Sequence, residues 1–428
     1  MEIRNYPELS EKLYWHKLPN GLPIAVVPRP GFTRKLAYFV TDFGAIHRDF
    51  TLDGQRYQMP AGIAHYLEHK MFDMPDGDVF PKFAALGATP NAFTSYDLTA
   101  YYFSCTDRFR ENLQLLLQFV STPYFTEESV QKEKGIIGQE IGMNEDSPDS
   151  RIFENLAVAM YRDHPVQTPI LGTRESIAQI TPELLTVCHR AFYRPGNMLL
   201  CVIGDVDPQE VISIAEETLP REDNAKVTRV SAWPEEMTCP NPELTAHMEV
   251  AMPTFQMGFK CEPPALGEEA VRAEAIGDLA CEALFGESSP LYLRLYEEGL
   301  IDSSFGGGFE TIDGMAMLTV SGDSDHPEQI KAAILAEVQR ILREGLDPQD
   351  FLRMKRSALG RRIRNLDSFD STAFRICAYH FSGFDYFAFP RIYRQIEIDD
   401  ILAFLQSVVT EDRCAMSIIY PIKEEESC

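Results

Sequence analysis

Two histidines and a glutamate form the segment of this sequence best suited to chemistry. His65, Glu68 and His69 occupy positions i, i+3 and i+4, so on a helix their side chains share one face. Two imidazoles one turn apart can bind one Zn²⁺ through nitrogen, and the glutamate can accept a proton from a water on that metal. This HxxEH order inverts the HExxH motif of zinc-dependent hydrolysis. The alternative is a surface helix that carries two solvated histidines.

A catalytic zinc site also needs a third protein ligand and leaves its fourth position to water. Glu133 and Glu140 are the candidates, because they lie seven residues apart, which is two helical turns, and therefore share a face. One could bind the metal while the other orients a ligand. Taken alone, the pair is more typical of two solvated glutamates.

The segments around these residues predict the elements that position them. Residues 24–27 and 36–43 carry β-branched and aromatic side chains and predict strands. Pro60 is predicted to begin the helix that carries the histidines, because proline favours the first turn of a helix. Thr126 can cap the helix that carries both glutamates.

The second half of the chain repeats the pattern of the first. The segment 125–130 leads into a predicted helix, and so does the segment 346–351, which lies 221 residues later. Each follows a predicted helix and, before it, a predicted strand, at 98–105 and 315–321. A period near half the chain predicts duplicated domains. Helices combined with antiparallel strands in each half indicate the α+β class, with two homologous α/β domains.

A change in composition marks the boundary between the two halves. Four prolines fall among charged residues between positions 220 and 242, which predicts a linker at residues 221–243. The predicted domains are residues 1–220, which carry both candidate motifs, and residues 244–428.

Composition and charge narrow the possible functions. The 428 residues are 45% apolar, enough for large cores, which excludes a disordered scaffold. The 39 basic and 65 acidic side chains give a formal charge of −26, which disfavours nucleic acid as a partner. The charge is typical of a well-solvated intracellular protein; an acidic cavity that attracts basic peptides is the alternative.

The sequence predicts neither a secretory signal nor a membrane span. The N-terminus lacks an apolar core with a small-residue cleavage site, and the apolar run at 198–203 has only six residues. The nine cysteines form no CxxC pair, which is typical of reduced thiols. These features predict a cytoplasmic protein without a membrane partner.

Three motifs in register resemble one known family. HxxEH is followed some 70 residues later by E-x6-E, and residues 87–101 are similar to the stretch G-x-x-x-N-A-x-T-x-x-x-x-T-x-Y. Together these motifs resemble the pitrilysin/insulinase zinc metallopeptidases, the inverzincins. In length the chain is similar to the subfamily of the mitochondrial processing peptidase and small bacterial processing-protease-like proteins. The resemblance spans essentially the whole chain.

The resemblance implies a role for each motif residue. His65 and His69 correspond to the two histidine ligands of one Zn²⁺ per chain, and Glu140 corresponds to the third ligand. Glu68 corresponds to the general base, and Glu133 to a supporting acid near the metal.

The resemblance also implies a substrate-binding strand. Asn91, Ala92, Phe93 and Thr94 correspond to an edge strand that holds the peptide. A peptide added to a sheet edge is bound mainly through its backbone. Such a site accepts extended substrates and places few requirements on their amino-acid sequence. For Phe93 and Tyr101, packing in the core is an equally open interpretation. The other histidines, which match no ligand position, are predicted to be structural or exposed: His47, His164 and His189 among them.

The second half departs from the family's pattern. At the 221-residue offset, Met354 and Arg361 stand where metal ligands would be, so one zinc site per chain is expected. Active members also need an Arg and a Tyr, in a pattern like R-x-K-x-G-L-x-Y, to donate hydrogen bonds to the substrate carbonyl or oxyanion. Either register of the corresponding stretch lacks this pair: Leu295 with Asp302, or Arg294 with Ile301.

These features together predict a zinc endopeptidase subunit that cleaves short, unfolded peptides. The family's chains pair, like the halves of a clam shell, around a closed chamber. Because this chain has the zinc motif without the Arg/Tyr pair, it is predicted to be the zinc-bearing subunit of a heterodimer. A homodimer is possible but should be slow. One alternative is a non-catalytic core or partner subunit that keeps the fold. Another is an acidic binding protein with a fortuitous HxxEH.

Overall fold

Strands and helices are mixed along the whole chain. The computed structural model describes residues 1–221, 225–230 and 232–422. The strands are β1 (Glu2–Tyr6), β2 (Glu11–Lys17), β3 (Pro23–Pro28), β4 (Lys35–Thr41), β5 (Asp49–Leu52), β6 (Gln55–Gln58), β7 (Asp73–Met74), β8 (Gly77–Asp78), β9 (Ala88–Thr94), β10 (Thr99–Cys105), β11 (Met198–Gly204), β12 (Val227–Arg229), β13 (Glu243–Met248), β14 (Thr254–Cys261), β15 (Gly306–Ile312), β16 (Met315–Asp323) and β17 (Cys414–Pro421). The helices are α1 (Ile63–Met71), α2 (Phe80–Ala85), α3 (Phe109–Ser121), α4 (Glu127–Glu145), α5 (Pro148–Met160), α6 (Arg174–Ile177), α7 (Pro182–Phe192), α8 (Pro208–Thr218), α9 (Glu268–Phe285), α10 (Pro290–Glu297), α11 (Pro327–Glu344), α12 (Pro348–Arg364), α13 (Phe369–Phe381), α14 (Phe389–Gln395) and α15 (Ile398–Val408).

The largest sheet has seven strands in the order β1-β2-β3-β11-β4-β10-β9. β3 and β11 are parallel, and the other neighbours are antiparallel. Every residue of β11 is buried, which explains its continuous apolar sequence, because a strand covered on both faces does not alternate. β9 lies at the edge of this sheet and pairs with β10 on one side.

A second sheet has five strands in the order β13-β17-β14-β16-β15. Counted in chain order, these strands follow the sequence 1-5-2-4-3, and so do β3, β11, β4, β10 and β9 in the first sheet. In both sheets the first pair is parallel and the others are antiparallel. The α+β class and the duplicated architecture predicted from the sequence are therefore confirmed.

Contacts divide the chain into two compact units. One contains residues 1–141, 168–231 and 364–388, and the other contains the remainder. These units describe packing rather than duplication, so the boundaries 1–220 and 244–428 remain predictions. Within the predicted linker, residues 222–224 and residue 231 lie outside the described residues.

The first unit buries one contiguous apolar core beneath its seven-stranded sheet. Alternate residues of β3, β4, β10 and β11 contribute to it, together with the apolar faces of α1, α3, α7 and α8. α13 contacts β4 and β11 of the same sheet. The helix that carries the candidate histidines is thus anchored in the main core of its unit.

The start of α1 differs from its prediction. Pro60 does not begin the helix: α1 starts at Ile63, and Gly62 precedes it with φ of +85°. A Cβ atom at Gly62 would lie 2.3 Å from the carbonyl oxygen of Leu171. Glycine is required there both for its left-handed backbone and for this close approach, and the contact with Leu171 is invisible in the local sequence.

The other local predictions are largely confirmed. The predicted strands at 24–27 and 36–43 correspond to β3 and β4, although β4 ends two residues earlier, at Thr41. In the second half, β16 and α12 occupy the positions expected from the internal repeat. No described helix combines the length and apolar character needed to cross a bilayer.

Candidate active site

α1 brings the three residues of the HxxEH motif to one side of the helix, as predicted. The imidazole centroids of His65 and His69 are 4.6 Å apart. His65 is only 8% exposed and Glu68 only 7% exposed. The alternative of two solvated surface histidines does not fit, because most of α1 is buried.

α4 places Glu140 opposite both imidazoles. One Glu140 oxygen lies 3.6 Å from His65 Nε2, and the other lies 3.6 Å from His69 Nε2. One ligand atom from each residue can be chosen so that all three lie within 4.8 Å of one another. Ligands about 2.0–2.1 Å from a tetrahedral zinc are roughly 3.3 Å apart. Two imidazole nitrogens and a carboxylate at these distances therefore fit the donor set of a three-ligand zinc site.

Glu133 contacts the other nitrogen of His69. Glu133 Oε1 lies 3.0 Å from His69 Nδ1, and the imidazole can donate that N–H to the carboxylate. The Nε2 lone pair then faces Glu140, which is the tautomer that metal binding requires. His65 Nδ1, in contrast, is buried without a hydrogen-bond partner among the described residues.

The pKa shifts in the cluster favour charged carboxylates next to charged imidazoles. The His65 imidazole is the largest influence on Glu140 and lowers the pKa of that carboxyl. Burial alone would lower the pKa of His69, but the hydrogen bond with Glu133 and the surrounding carboxylates raise it. Three carboxylates and two imidazoles thus produce a negative site suited to a divalent cation.

Glu68 accepts a hydrogen bond from the edge strand β9. Thr94 Oγ1 donates to Glu68 Oε2 at 2.7 Å. Burial raises the pKa of Glu68, while His65 and the Thr94 hydroxyl oppose that rise. A carboxylate with raised proton affinity, held beside candidate metal ligands, is suited to accept a proton from water.

The predicted substrate strand is the edge strand β9, and it lies next to Glu68. Its last residue, Thr94, directs its hydroxyl to Glu68, while Ala92 packs against the core. Phe93 faces the other way, with its ring centroid 5.8 Å from that of Phe374. Tyr101 is fully buried and shares a 2.8 Å hydrogen bond with the Tyr193 hydroxyl, which favours the core interpretation for this residue.

The remaining predicted positions lie outside the cluster. Each of three buried histidines contacts a backbone group: His47 contacts the Gly44 amide, His164 the Asp313 carbonyl and His189 the Val120 carbonyl. In the described part of the chain, the only group of residues with metal-ligand geometry is His65, His69 and Glu140.

In the described part of the second half, the residues at the expected oxyanion-donor positions do not form an Arg/Tyr pair. Leu295 is fully buried, and Arg294 lies 3.7 Å from the Glu337 carboxylate. Asp302 accepts a hydrogen bond from the Ser304 hydroxyl. Arg361, at the position equivalent to Glu140, pairs with Glu282. Neither register of the Arg/Tyr stretch therefore supplies the pair.

Sequence reasoning missed Lys70 and the contact that Thr94 makes with Glu68. Lys70 is 1% exposed and lies four residues after the buried Tyr66 on α1, so the helical period was a signal for its burial. The Thr94 contact joins β9 to α1 and has no signature in either segment.

Replacing Thr94 by Val should separate its two possible roles. Valine has the same shape but cannot donate to Glu68, so we expect kcat to fall about tenfold, which matches the loss of one hydrogen bond to a charged group. KM should change less than about twofold, because the strand backbone is retained, and Thr94→Ser should restore kcat. Steady-state kinetics on a fluorogenic peptide provides the measurement. A raised KM at unchanged kcat would instead make Thr94 a substrate-binding residue.

Comparison with known proteins identifies the family. Residues 53–174 match the family described as insulinase (peptidase family M16), and residues 179–358 match the one described as peptidase M16 inactive domain. A Bacillus subtilis protein named uncharacterized zinc protease YmfH is 38% identical over 424 residues, covering 97% of this chain and 98% of YmfH. A crystal structure from Alicyclobacillus acidocaldarius, titled as that of a putative M16-like peptidase, has a TM-score of 0.92 and 34% identity, covering 96% of this chain and 99% of that one.

A more distant structure shows the same fold. A protease from Helicobacter pylori is 19% identical, with a TM-score of 0.83 over 96% of this chain and the whole of that chain. Fold, full-length similarity and both halves of the family description agree. The chain belongs to the M16 peptidases, the pitrilysin/insulinase family.

Proposed function

We propose that this protein is a zinc-dependent endopeptidase subunit that hydrolyses short, unfolded peptides. The observation that carries the proposal is the cluster of His65, His69 and Glu140, whose ligand atoms lie within 4.8 Å of one another. Glu68 lies on the same helix and is hydrogen-bonded to the edge strand expected to hold the peptide. The candidate metal ligands, the candidate base and the strand expected to bind the peptide are therefore neighbours.

The residues of the cluster divide the work. His65, His69 and Glu140 would hold the zinc ion, and Glu133 orients His69 through Nδ1. When bound, zinc supplies Lewis acidity for the scissile carbonyl and for the attacking water. Glu68 accepts the proton of that water and then delivers it to the leaving amine. Thr94 Oγ1 donates to Glu68 Oε2 and would hold this side chain in place both as the carboxylate that accepts the proton and as the carboxylic acid that delivers it.

Substrate binding follows from the position of β9. This strand pairs with β10 on one side only, so its other edge offers backbone groups to an added strand. A peptide bound in this way must be extended, and its side chains contribute little to recognition. Asn91 to Thr94 would hold such a peptide beside Glu68, which favours unfolded substrates over folded proteins.

The second half supports the role of zinc-bearing subunit in a heterodimer. It offers a buried leucine and a paired arginine where oxyanion donors are expected, so a homologous partner would supply the Arg/Tyr pair and close the chamber. The alternative is a non-catalytic partner subunit. Such a subunit has no need of the zinc-site residues, whereas here His65, His69, Glu140 and Glu68 are all present and adjacent.

Removal of metal provides the direct test of the proposal. We expect a quenched fluorescent peptide to be cleaved by the purified chain, alone or with a homologous partner, and cleavage to stop after dialysis against a chelator. Stoichiometric zinc should restore the rate, because the other side chains remain in place. Cleavage that survives complete removal of metal would contradict the proposal.

A further inference from the structure

Lys70 places a buried ammonium group near Glu133, the carboxylate that contacts the candidate ligand His69. It follows His69 on α1, and its side chain is 1% exposed. Its Nζ pairs with the Asp73 carboxylate and lies 3.4 Å from the Ser129 carbonyl oxygen. Burial of a charged amine is unfavourable unless oxygens surround it. The oxygens around the Lys70 ammonium group therefore indicate what this charge does.

The third oxygen near Lys70 belongs to Glu133. Glu133 Oε2 lies 3.8 Å from Lys70 Nζ, and Glu133 Oε1 lies 3.0 Å from His69 Nδ1. The Glu133 side chain is only 13% exposed. Each carboxylate oxygen thus faces a different residue of α1, and the two residues are consecutive in the chain. Rotation of the carboxylate would break the hydrogen bond to His69.

We propose that Lys70 is a positioning residue for the metal centre. Its ammonium group holds the Glu133 carboxylate so that Oε1 accepts the His69 Nδ1 proton and His69 Nε2 stays directed at Glu140. The inference rests on the proposed zinc site, which it extends to the residue that fixes the orientation of one ligand. Lys70 is not among the three candidate ligands, and its effect on the metal centre would pass through Glu133.

A purely structural role makes a different prediction. If Lys70 only anchored Asp73 and the Ser129 carbonyl, its loss would destabilise the fold to the same extent whether or not Glu133 was present. Asp73 is 41% exposed, so water can replace its contact with Lys70. The dependence of the Lys70 effect on Glu133 therefore separates the two roles.

The test is a double-mutant cycle on zinc affinity, measured by competition with a chromophoric chelator. Glu133→Gln should weaken zinc binding about 10–100-fold, the usual cost of losing an outer partner of a histidine ligand. Lys70→Met, which keeps the length of the side chain without its charge, should weaken it about tenfold. The double variant should bind zinc no more weakly than Glu133→Gln alone, because Lys70 acts through Glu133.

Two control variants isolate the effect. Lys260 is also 1% exposed and pairs with Glu235 at 2.8 Å, so Lys260→Met removes an equally buried ammonium group without contact to the site. It should lower stability and leave zinc affinity unchanged. Asp73→Asn should change zinc affinity less than about twofold. If Lys70→Met does not fold, Lys70→Gln takes its place in the cycle, with the same expectation.

Two results would overturn the inference. One is wild-type zinc affinity in the Lys70 variant, and the other is additive losses in the double variant. The zinc affinity of the wild-type chain is measured first. If the wild type binds no zinc, the proposed function itself is overturned; if it binds zinc, the variants test the role of Lys70 alone.

Discussion

Replacing Glu68 by Gln is expected to lower the rate of peptide cleavage by about 10²–10⁴-fold, the usual contribution of a general base. The amide has nearly the shape of the carboxylate and can still accept the Thr94 hydrogen bond, which is 2.7 Å long in the wild type. It cannot accept the proton of the attacking water. Because Glu68 is not among the three candidate ligands, the variant should retain zinc.

The measurement combines steady-state cleavage of a fluorogenic peptide with metal analysis of the same samples. Glu128→Gln is the matched control, since Glu128 is an exposed residue in the first turn of α4. The control should cleave at the wild-type rate. If Glu68→Gln retained wild-type cleavage, another group would have to serve as the base. If it lost its zinc, its inactivity would say nothing about proton transfer.

The isolated chain is expected to cleave peptides slowly, and a homologous partner with the Arg/Tyr pair should raise the rate by about 10²–10³-fold. That range is the usual effect of one oxyanion donor. Neither register of the described stretch places an Arg and a Tyr at the donor positions. Leu295 is buried in its core, Arg294 lies near Glu337, and Asp302 is bonded to Ser304.

The partner's contribution can be isolated by substitution within the partner. A candidate is a homologous chain that has the R-x-K-x-G-L-x-Y stretch and lacks HxxEH. Mixed with this chain, it should raise kcat, and the same partner with its Arg replaced by Met should not. Fast cleavage by the isolated chain, unchanged by any such partner, would show that the heterodimer assignment is wrong.

The candidate catalytic segment could be predicted from sequence because its geometry is local. Helical spacing alone places His65, Glu68 and His69 on one face of α1, and the same argument places Glu133 and Glu140 on one face of α4. The contact between the face of α1 and the face of α4 depends on tertiary packing. The sequence suggested it only because zinc needs a third ligand and because the motifs resemble a known family.

Features that depend on contacts between distant segments were not predictable. α1 begins at Ile63 rather than Pro60 because Gly62 approaches the carbonyl of Leu171, more than 100 residues away in the sequence. The Thr94 contact with Glu68 and the burial of Lys70 against Glu133 arise in the same way. In each case the local sequence pattern predicts the helix or strand, whereas tertiary packing determines which groups its side chains contact.

The repeat in the chain was predictable at the level of elements but not of sheet order. The 221-residue offset places a strand and two helices correctly in the second half, as β16, α11 and α12 show. The shared strand order 1-5-2-4-3 requires a parallel pair between the first and last strands of each set. Pairing over such separations leaves no periodic signal within either strand.

The most direct test of the central claim is the metal content of the purified chain. Wild type and Glu140→Gln are expressed with zinc, dialysed against metal-free buffer and analysed by inductively coupled plasma mass spectrometry. Because Glu140 faces both imidazoles, we expect one zinc per wild-type chain and little in the variant, with Glu128→Gln behaving as wild type. A wild-type chain without zinc, or equal zinc in wild type and Glu140→Gln, would contradict the assigned metal centre.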